Sequence, residues 1–343
     1  MKQKILVTGG AGYIGSHTAV ELIERGYEVV IIDDLSNSEE RVIDGIEAIT
    51  GTRPDLAVFD ICDEAKLELF FQGHPDVAAI IHFAASKAVG ESVSKPLHYY
   101  RNNIVSLVNL LEVLPTTQAK GLVFSSSCTI YGQPDVLPVT EHAPVKKALS
   151  PYGNTKQICE EILQDAVTSG VDYRTIALRY FNPIGAHPSA EIGELPRGVP
   201  NNLVPFITQT GAGIREKISI FGDDYDTPDG TCVRDYIHVV DLAKAHVIAT
   251  ERILSGKSSE KYEYFNLGTG KGSSVKEIVE AFEKVSGKEL NKTYAPRRPG
   301  DVEAVYADTS YANDELGWKS ELELEDMIAS AWKWEKKIRG IDS

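Results

Sequence analysis

The sequence lacks the marks of export, membrane anchoring and disulfide bracing. Met1-Lys2-Gln3-Lys4 runs straight into the apolar Ile5-Leu6-Val7, with no basic n-region, no long apolar stretch and no small-residue cleavage site. A chain without a leader is expected. Nowhere do about 18 consecutive apolar residues occur, so no membrane-spanning helix is expected either. The four cysteines, Cys62, Cys128, Cys159 and Cys232, are scattered without a CxxC pair, which fits reduced thiols and a cytoplasmic setting. Positive charge is short as well. Against 50 Asp and Glu stand 35 Lys and Arg, a net charge of −15 that opposes non-specific binding to nucleic acid or an anionic membrane. A metal site also lacks support, because His238-x-x-Asp241 offers two ligands without a third.

What is present is apolar periodicity. With 343 residues, 42% of them hydrophobic and 25% charged, the chain can bury a sizeable core in one large domain or two closely joined ones. Short apolar runs at Lys4–Val7, Glu28–Ile32, Leu56–Phe59, Val77–Phe83, Leu122–Ser125 and Tyr173–Leu178 predict strands buried on both faces. Amphipathic patterns at Ser16–Arg25, Glu64–Gln72, Pro96–Leu114 and Tyr152–Ser169 predict the helices between them. The alternation argues a doubly wound α/β fold of the Rossmann type, built on a parallel sheet. Past Phe181 the stretch 182–235 is rich in Gly, Pro, Asn and Asp and reads as irregular, apart from a strand at Lys217–Phe221. Helices are expected again at Val239–Leu254, at Ser274–Ser286 with a Ser274/Glu277 capping box, and at about Leu324–Ile338. This second part reads as a smaller C-terminal α/β substrate domain.

The first strand ends in Thr8-Gly9-Gly10-Ala11-Gly12-Tyr13-Ile14-Gly15, where Gly9, Gly12 and Gly15 follow a strand and open a helix. Glycines so placed allow a tight turn, a close backbone approach and a pyrophosphate on the helix N-terminus. The second strand ends in Asp33-Asp34. A carboxylate at Asp33 accepts from ribose hydroxyls and repels a 2′-phosphate, which argues NAD rather than NADP. Asp34 reads as a solvated turn residue.

A chemical constellation follows. The fifth strand runs into Ser125-Ser126-Ser127-Cys128-Thr129, and Tyr152 and Lys156 lie at i and i+4 on one face of the next helix. Tyrosine has a pKa of about 10, and lowering it to neutrality takes on the order of 4 kcal/mol. A neighbouring ammonium together with an oxidised nicotinamide is expected to supply it. The Ser127 hydroxyl is placed to orient a reacting oxygen. Cys128 reads as an inert thiol.

The glycine motif, Ser127 and Tyr152-x-x-x-Lys156 resemble the extended short-chain dehydrogenases/reductases. His82-Phe83-Ala84-Ala85, Lys87 to Ser92, Arg179-Tyr180-Phe181-Asn182-Pro183, Gly185 to Pro188, Pro200 to Leu203, Val233 to Val239 and Ala295 to Asp301 narrow the resemblance to the UDP-glucose 4-epimerase family over essentially the whole chain. It implies an NAD-dependent isomerase of UDP-sugars that works through a 4-keto sugar. Tyr152, Ser127 and Lys156 would be catalytic. Gly9, Gly12, Tyr13, Ile14, Gly15, Asp33, Asn37, Asp60, Ile61, Phe83, Ala84, Lys87, Asn102, Tyr152, Lys156 and Phe181 would hold NAD. Lys87, Ser127, Tyr152, Asn182, Asn202, Leu203, Ser219 to Phe221, Arg234, Arg298, Asp301 and Val305 would face the UDP-sugar. Two of these assignments have local support. Asn202 precedes an apolar run and is expected to cap a helix aimed at phosphate. Arg234 and Arg298 are bidentate donors suited to a pyrophosphate. The implied domains are 1–181 with a return at about 235–270 for NAD, and 182–234 with 271–343 for the UDP-sugar. A homodimer is implied too, and Leu97, Tyr100, Ile104, Leu107, Val108 and Leu111 form an apolar helix stripe that serves either that contact or the monomer core.

Sugar-nucleotide 4,6-dehydratases share this constellation but carry an Asp-Glu pair where this chain has Cys128 and Thr129, so elimination lacks its acid and base. A reductase would need an exchanging cofactor, usually NADPH, which Asp33 disfavours. A non-catalytic nucleotide-sensing protein would typically lose Tyr152 or Lys156. The remaining alternatives are epimerases of UDP-GlcNAc or UDP-glucuronate. At Val305 the family's hexose-specific members carry a tyrosine, and the smaller valine is expected to admit an N-acetyl group.

Overall fold

The structure, a computed structural model, describes residues 2–298 and 301–341. Met1, Pro299, Gly300, Asp342 and Ser343 lie outside the described residues, and with them two positions of the Ala295–Asp301 motif and the outer ends of the expected domains.

The chain begins β1 (Lys4–Thr8), α1 (Tyr13–Glu24), β2 (Glu28–Asp33), α2 (Arg41–Thr50), β3 (Asp55–Val58), α3 (Glu64–Gly73) and β4 (Val77–His82). It continues through α4 (Val89–Ser94), α5 (Pro96–Tyr100), α6 (Ser106–Val113), β5 (Gly121–Ser127), α7 (Pro151–Thr168) and β6 (Arg174–Tyr180). Next come β7 (Asn182–Ile184), α8 (Leu203–Gly211), β8 (Ile218–Phe221), β9 (Val233–His238), α9 (Val239–Leu254) and β10 (Tyr262–Leu267). The last elements are β11 (Gly272–Ser274), α10 (Val275–Ser286), β12 (Lys292–Ala295), β13 (Ala304–Val305) and α11 (Leu324–Arg339). No helix among the described residues is long and apolar enough to cross a membrane.

Seven parallel strands form the main sheet, in the order β3-β2-β1-β4-β5-β6-β10. Alternate side chains go to opposite faces, as a period of two requires. Ile5, Val7, Ile31 and Ile81 meet α1, α2 and α9, whereas Leu6, Val30, Ile32 and Ile80 meet α3, α6 and α7. Both faces are therefore covered, and the strands read as continuous apolar runs. The chain winds outward from β1 to β3 and then crosses to β4 on the other side of β1. That reversal opens a crevice at the carboxyl ends of β1 and β4, where α/β sheets bind ligands.

Helix starts follow local chemistry. Asp63 accepts from the Lys66 N–H at the head of α3, Ser150 accepts from the Gly153 N–H at the head of α7, and Ser274 with Glu277 closes the expected box on α10.

Besides the unexpected helices α2 and α4, the structure departs from the sequence reading in three further places. A seventh strand, β10, joins the main sheet beside β6. Its pattern was obscured by Glu263 and Asn266, both buried; Glu263 is paired with Arg252 at 2.8 Å, so its charge does not mark the surface. Second, the helix expected over Pro96–Leu114 is broken by a π-helical turn at Arg101–Val105. The carbonyls there accept thiols: Cys62 donates to Asn102 at 3.6 Å and Cys159 to Asn103 at 3.4 Å. Third, 182–235 holds β7, α8 and the start of β9 besides β8. β9 pairs with β7, β11 and β13, and β8 pairs with β12, so two small sheets stand beside the large one.

Beneath the end of β5 lies a buried ion pair. The Arg179 guanidinium donates to Glu160 through Nε at 3.0 and 3.1 Å and through Nη2 at 2.5 Å, and both side chains are less than a tenth exposed. Ser126 and Tyr262 also donate to Glu160, and Tyr131 accepts from Arg179. This network ties β5, β6, α7 and β10 together. Glu160→Gln leaves the guanidinium buried without its counter-charge and should cost about 3–5 kcal/mol, read by urea unfolding. A loss under about 1 kcal/mol would show that the network contributes little.

Candidate active site

The glycine turn sits at the crevice. Gly9 has φ +69°, and a Cβ there would come within 2.7 Å of the Ala84 backbone nitrogen. A Cβ on Gly15 would collide with the Gly9 carbonyl. The turn can therefore pack against the loop after β4 only with glycines at these points. Among the described residues no side chain caps α1, whose N-cap is Gly12, and its first turn carries no acidic residue. The leading N–H groups of Tyr13, Ile14 and Gly15 lie beyond intrahelical bonding, a donor set that fits a pyrophosphate.

Asp33 is buried at the end of β2. Its Oδ2 accepts from Ala11 N at 3.0 Å, and its Oδ1 accepts from Leu35 N at 2.9 Å and Ser38 Oγ at 2.7 Å. One carboxylate thus fastens the glycine turn to the following loop and retains an outward lone pair that suits a ribose hydroxyl. Burial raises its pKa, and these hydrogen bonds offset part of the rise. Among the described residues Asp34 accepts only from Ser36, as a solvated turn residue does.

The other residues expected to hold the nucleotide differ in burial. Ile61 and Phe181 are buried, Phe83 packs at a tilt against the His246 ring with centroids 4.6 Å apart, and Asn37 and Asp60 are exposed. The Lys87 loop is held from behind: Ser86 N donates to Asn103 Oδ1 at 2.8 Å, and Ala88 N donates to the Tyr99 hydroxyl at 3.0 Å. Asn102 donates to Ser86 Oγ at 3.3 Å. Asn103 and Tyr99 escaped the sequence reading. Their adjacency to Asn102 and Tyr100 was the only signal, and the π-helical turn that aims Asn103 inward has no local signature.

Tyr152 and Lys156 stand on the first two turns of α7, facing the end of β5. Lys156 Nζ donates to the Ser125 carbonyl at 2.6 Å and lies 5.9 Å from the centroid of the Tyr152 ring. Ser127 is buried at the last position of β5, where its hydroxyl accepts from Thr129 N and favours the ionised form of the neighbouring Tyr152 phenol. Tyr180 hydrogen-bonds Ser125 Oγ at 2.5 Å and is a further neighbour of Tyr152. The protein's own groups push the Tyr152 phenol above its ordinary value, burial first and Tyr180 second, with the Ser127 hydroxyl offsetting part. Burial also brings Lys156 down to about 8, despite Cys159 and Glu160. Burial pushes the Cys128 thiol up to about 12, which leaves it a poor nucleophile.

On the opposite wall, β9 and β13 place Arg234 across from Val305 in register. Arg234 pairs with Asp301 at 3.3 Å, and the Arg298 guanidinium lies 4.0 Å above the Phe221 ring. Ser219 and Phe221 project from β8, and Asn182 from β7. Val305 packs in one apolar cluster with Phe181, Tyr131 and Ala307, against Cys128. This wall thereby reaches the end of β5. Asn202 precedes Leu203 at the head of α8 as expected, but its side chain does not cap the helix. Its Nδ2 donates to Glu194 at 2.6 Å. Glu194 also lies 3.7 Å from Lys87, a contact that no sequence pattern announced. His238 and Asp241 are engaged in the scaffold: His238 accepts from Val240 N, and Asp241 accepts from the N–H groups of Glu321 and Leu322.

With this geometry in view, the chain can be set beside known proteins. Residues 6–331 match the family described as GDP-mannose 4,6 dehydratase. A UDP-glucose 4-epimerase of Bacillus subtilis is 50% identical over 331 residues, covering 96% of each chain. A UDP-glucose-4-epimerase of Stenotrophomonas maltophila, solved with bound NAD and formylated UDP-arabinopyranose, superposes with a TM-score of 0.94 at 46% identity, covering 98% of this chain and 99% of that one. The enzyme of Bifidobacterium longum in complex with NAD+ and UDP gives a TM-score of 0.93 at 45% identity, covering 99% and 100%. Similarity of this depth along almost the whole length, on a sheet of the same winding, shows that the chain belongs to the UDP-glucose 4-epimerase family.

Proposed function

We infer that the chain is an NAD-dependent enzyme that interconverts UDP-galactose and UDP-glucose. The observation that carries this reading is the convergence of Tyr152, Lys156 and Ser127 at the end of β5, beside the glycine turn and opposite the Arg234 wall. NAD held on the glycine turn and Asp33 supplies a hydride acceptor and donor, so that a C4 alcohol is oxidised and reduced again without net redox change. Tyr152 takes the O4 proton and later returns it. Ser127 orients O4 through its hydroxyl. Lys156, anchored on the Ser125 carbonyl, favours the phenolate but does not by itself outweigh burial. The positive charge of an oxidised nicotinamide would add to that of Lys156 in favouring the Tyr152 phenolate. Arg234, Arg298 and Asn202 hold the nucleotide end. Affinity placed there leaves the sugar free to present either face.

We divide the chain accordingly into a nucleotide-binding part, 1–181 with the return at about 235–270, and a UDP-sugar part, 182–234 with 271–343. The large sheet and the two small ones support this division. Two chains pair through α6 and α7. An open groove between these helices is lined by Val108, Leu111, Ile162, Ala166 and Tyr173, and Leu97 of α5 is 82% exposed nearby. Leu107, in contrast, is buried in the core and belongs to the monomer. Sedimentation should give a dimer, and a monomer at micromolar concentration would refute the pairing.

Purified protein given UDP-galactose and no added nucleotide should form UDP-glucose with no net NADH. Absence of turnover even with NAD⁺ supplied would overturn the assignment. In the same assay Tyr152→Phe should lower kcat by about 10²–10⁴-fold while NAD content and UDP affinity stay unchanged. Unaltered turnover would remove Tyr152 from its role.

Breadth of substrate turns on Val305, which is buried among Phe181, Tyr131 and Ala307. A small side chain here leaves space for an N-acetyl group, so UDP-GlcNAc and UDP-GalNAc are substrates as well. Val305→Tyr should lower kcat/KM on the N-acetylated pair by about 10–200-fold and spare the hexose pair. Equal loss on both pairs would refute the role.

A further inference from the structure

One segment touches both walls of the crevice. Between Gly193 and Asn202 the chain leaves the substrate side, crosses to the nucleotide side and returns to α8. Arg197, near its middle, donates to three backbone carbonyls of the loop after β2: Ser36 O at 2.7 Å, Ser38 O at 2.6 Å and Leu35 O at 3.2 Å. That loop is the one fastened to Asp33 through Leu35 N and Ser38 Oγ. Leu35 is held at φ +58°, a left-handed conformation that side chains with a Cβ disfavour. In this conformation its N–H bonds the Asp33 carboxylate and its carbonyl accepts from Arg197. Arg197 thus bridges the segment to a strained loop with a rigid fork of donors. At the other end of the segment, Glu194 faces Asn202 at 2.6 Å and Lys87 at 3.7 Å, one from each wall. Trp334 Nε1 donates to the Glu194 carbonyl at 2.9 Å and anchors the segment to α11.

We propose that Gly193–Asn202 is a latch that slows NAD release, with Arg197 as the positioning residue that holds the Asp33 loop closed, and that UDP binding at α8 tightens it. The proposal rests on the assignment of NAD to the glycine turn and Asp33. Asp33 meets the ribose, and Arg197 acts on it only through the loop. Because the same segment leads directly into Asn202 and Leu203, a nucleotide seated on α8 restrains the chain that carries Arg197. Binding on one wall is therefore linked to retention on the other, and linkage between binding steps is reciprocal.

The test is exchange of bound NAD⁺ for a fluorescent etheno-NAD⁺, followed on the full-length protein with and without UDP. Wild-type protein should exchange slowly, and more slowly with UDP. Arg197→Ala should exchange at least about ten-fold faster, the effect of one lost charge-assisted hydrogen bond, and UDP should no longer slow it. Exchange within twofold of wild type overturns the latch. A UDP effect of full size in the variant overturns the coupling. Wild-type protein that retains no NAD overturns the cofactor assignment and the latch with it, an outcome distinct from equal retention in both proteins. Should Arg197→Ala fail to fold, Arg197→Lys keeps the charge but not the three-way fork, and its exchange rate is judged by the same limits.

Discussion

The site depends on one buried contact, the donation from the Lys156 ammonium to the Ser125 carbonyl at 2.6 Å. It joins the first turns of α7 to the end of β5. Tyr152 lies one turn before Lys156, and Ser127 lies two residues beyond Ser125. Together with the bond from Ser126 to Glu160, it fixes how the phenol and the hydroxyl approach. It is made where water is excluded, so it is strong, but the same exclusion penalises the charge it carries. Both consequences are visible. The lysine is brought down to about 8, and the tyrosine is driven above its ordinary range.

That penalty explains the reach of the surrounding framework. One turn beyond Lys156, Glu160 meets Arg179 from β6, with Ser126, Tyr131 and Tyr262 completing the set. A buried pair of this kind is weak evidence of net stability, since desolvation opposes the attraction. Its geometric effect is plain: three adjacent strands and the catalytic helix share one polar anchor. Behind the Lys87 loop, Asn103 and Tyr99 make a comparable anchor from the interrupted helix. Rigid supports on both sides leave the crevice between them open to a ligand.

The two walls differ in how they are held. The nucleotide side is fixed by the parallel sheet and by Asp33, whose carboxylate binds the glycine turn and the next loop together. The substrate side hangs on short strands, with Arg234 against Asp301 and Arg298 over Phe221. Glu194 and Arg197 span the division with contacts between residues far apart in the chain. In the proposed function, a retained NAD and a turning sugar would place opposite demands on one cleft, and this asymmetry suits both.

Much was legible in the residues alone. The apolar runs of β1 to β6, the glycine spacing, the Tyr152–Lys156 interval and the Ser274–Glu277 box are interactions between near neighbours, and local geometry follows from local order. Tertiary structure decided the rest. β10 hides its polar residues by pairing Glu263 with Arg252, and Asn202 turns from its helix to Glu194. The π-helical turn at Arg101–Val105 aims Asn103 at the Lys87 loop, and Arg197 reaches carbonyls about 160 positions away. The surroundings of Tyr152 belong with these, because burial by distant strands and helices raises its pKa. Spacing along the chain specifies which groups can meet within a turn of helix. Only packing specifies how dry they become and which distant partner they find.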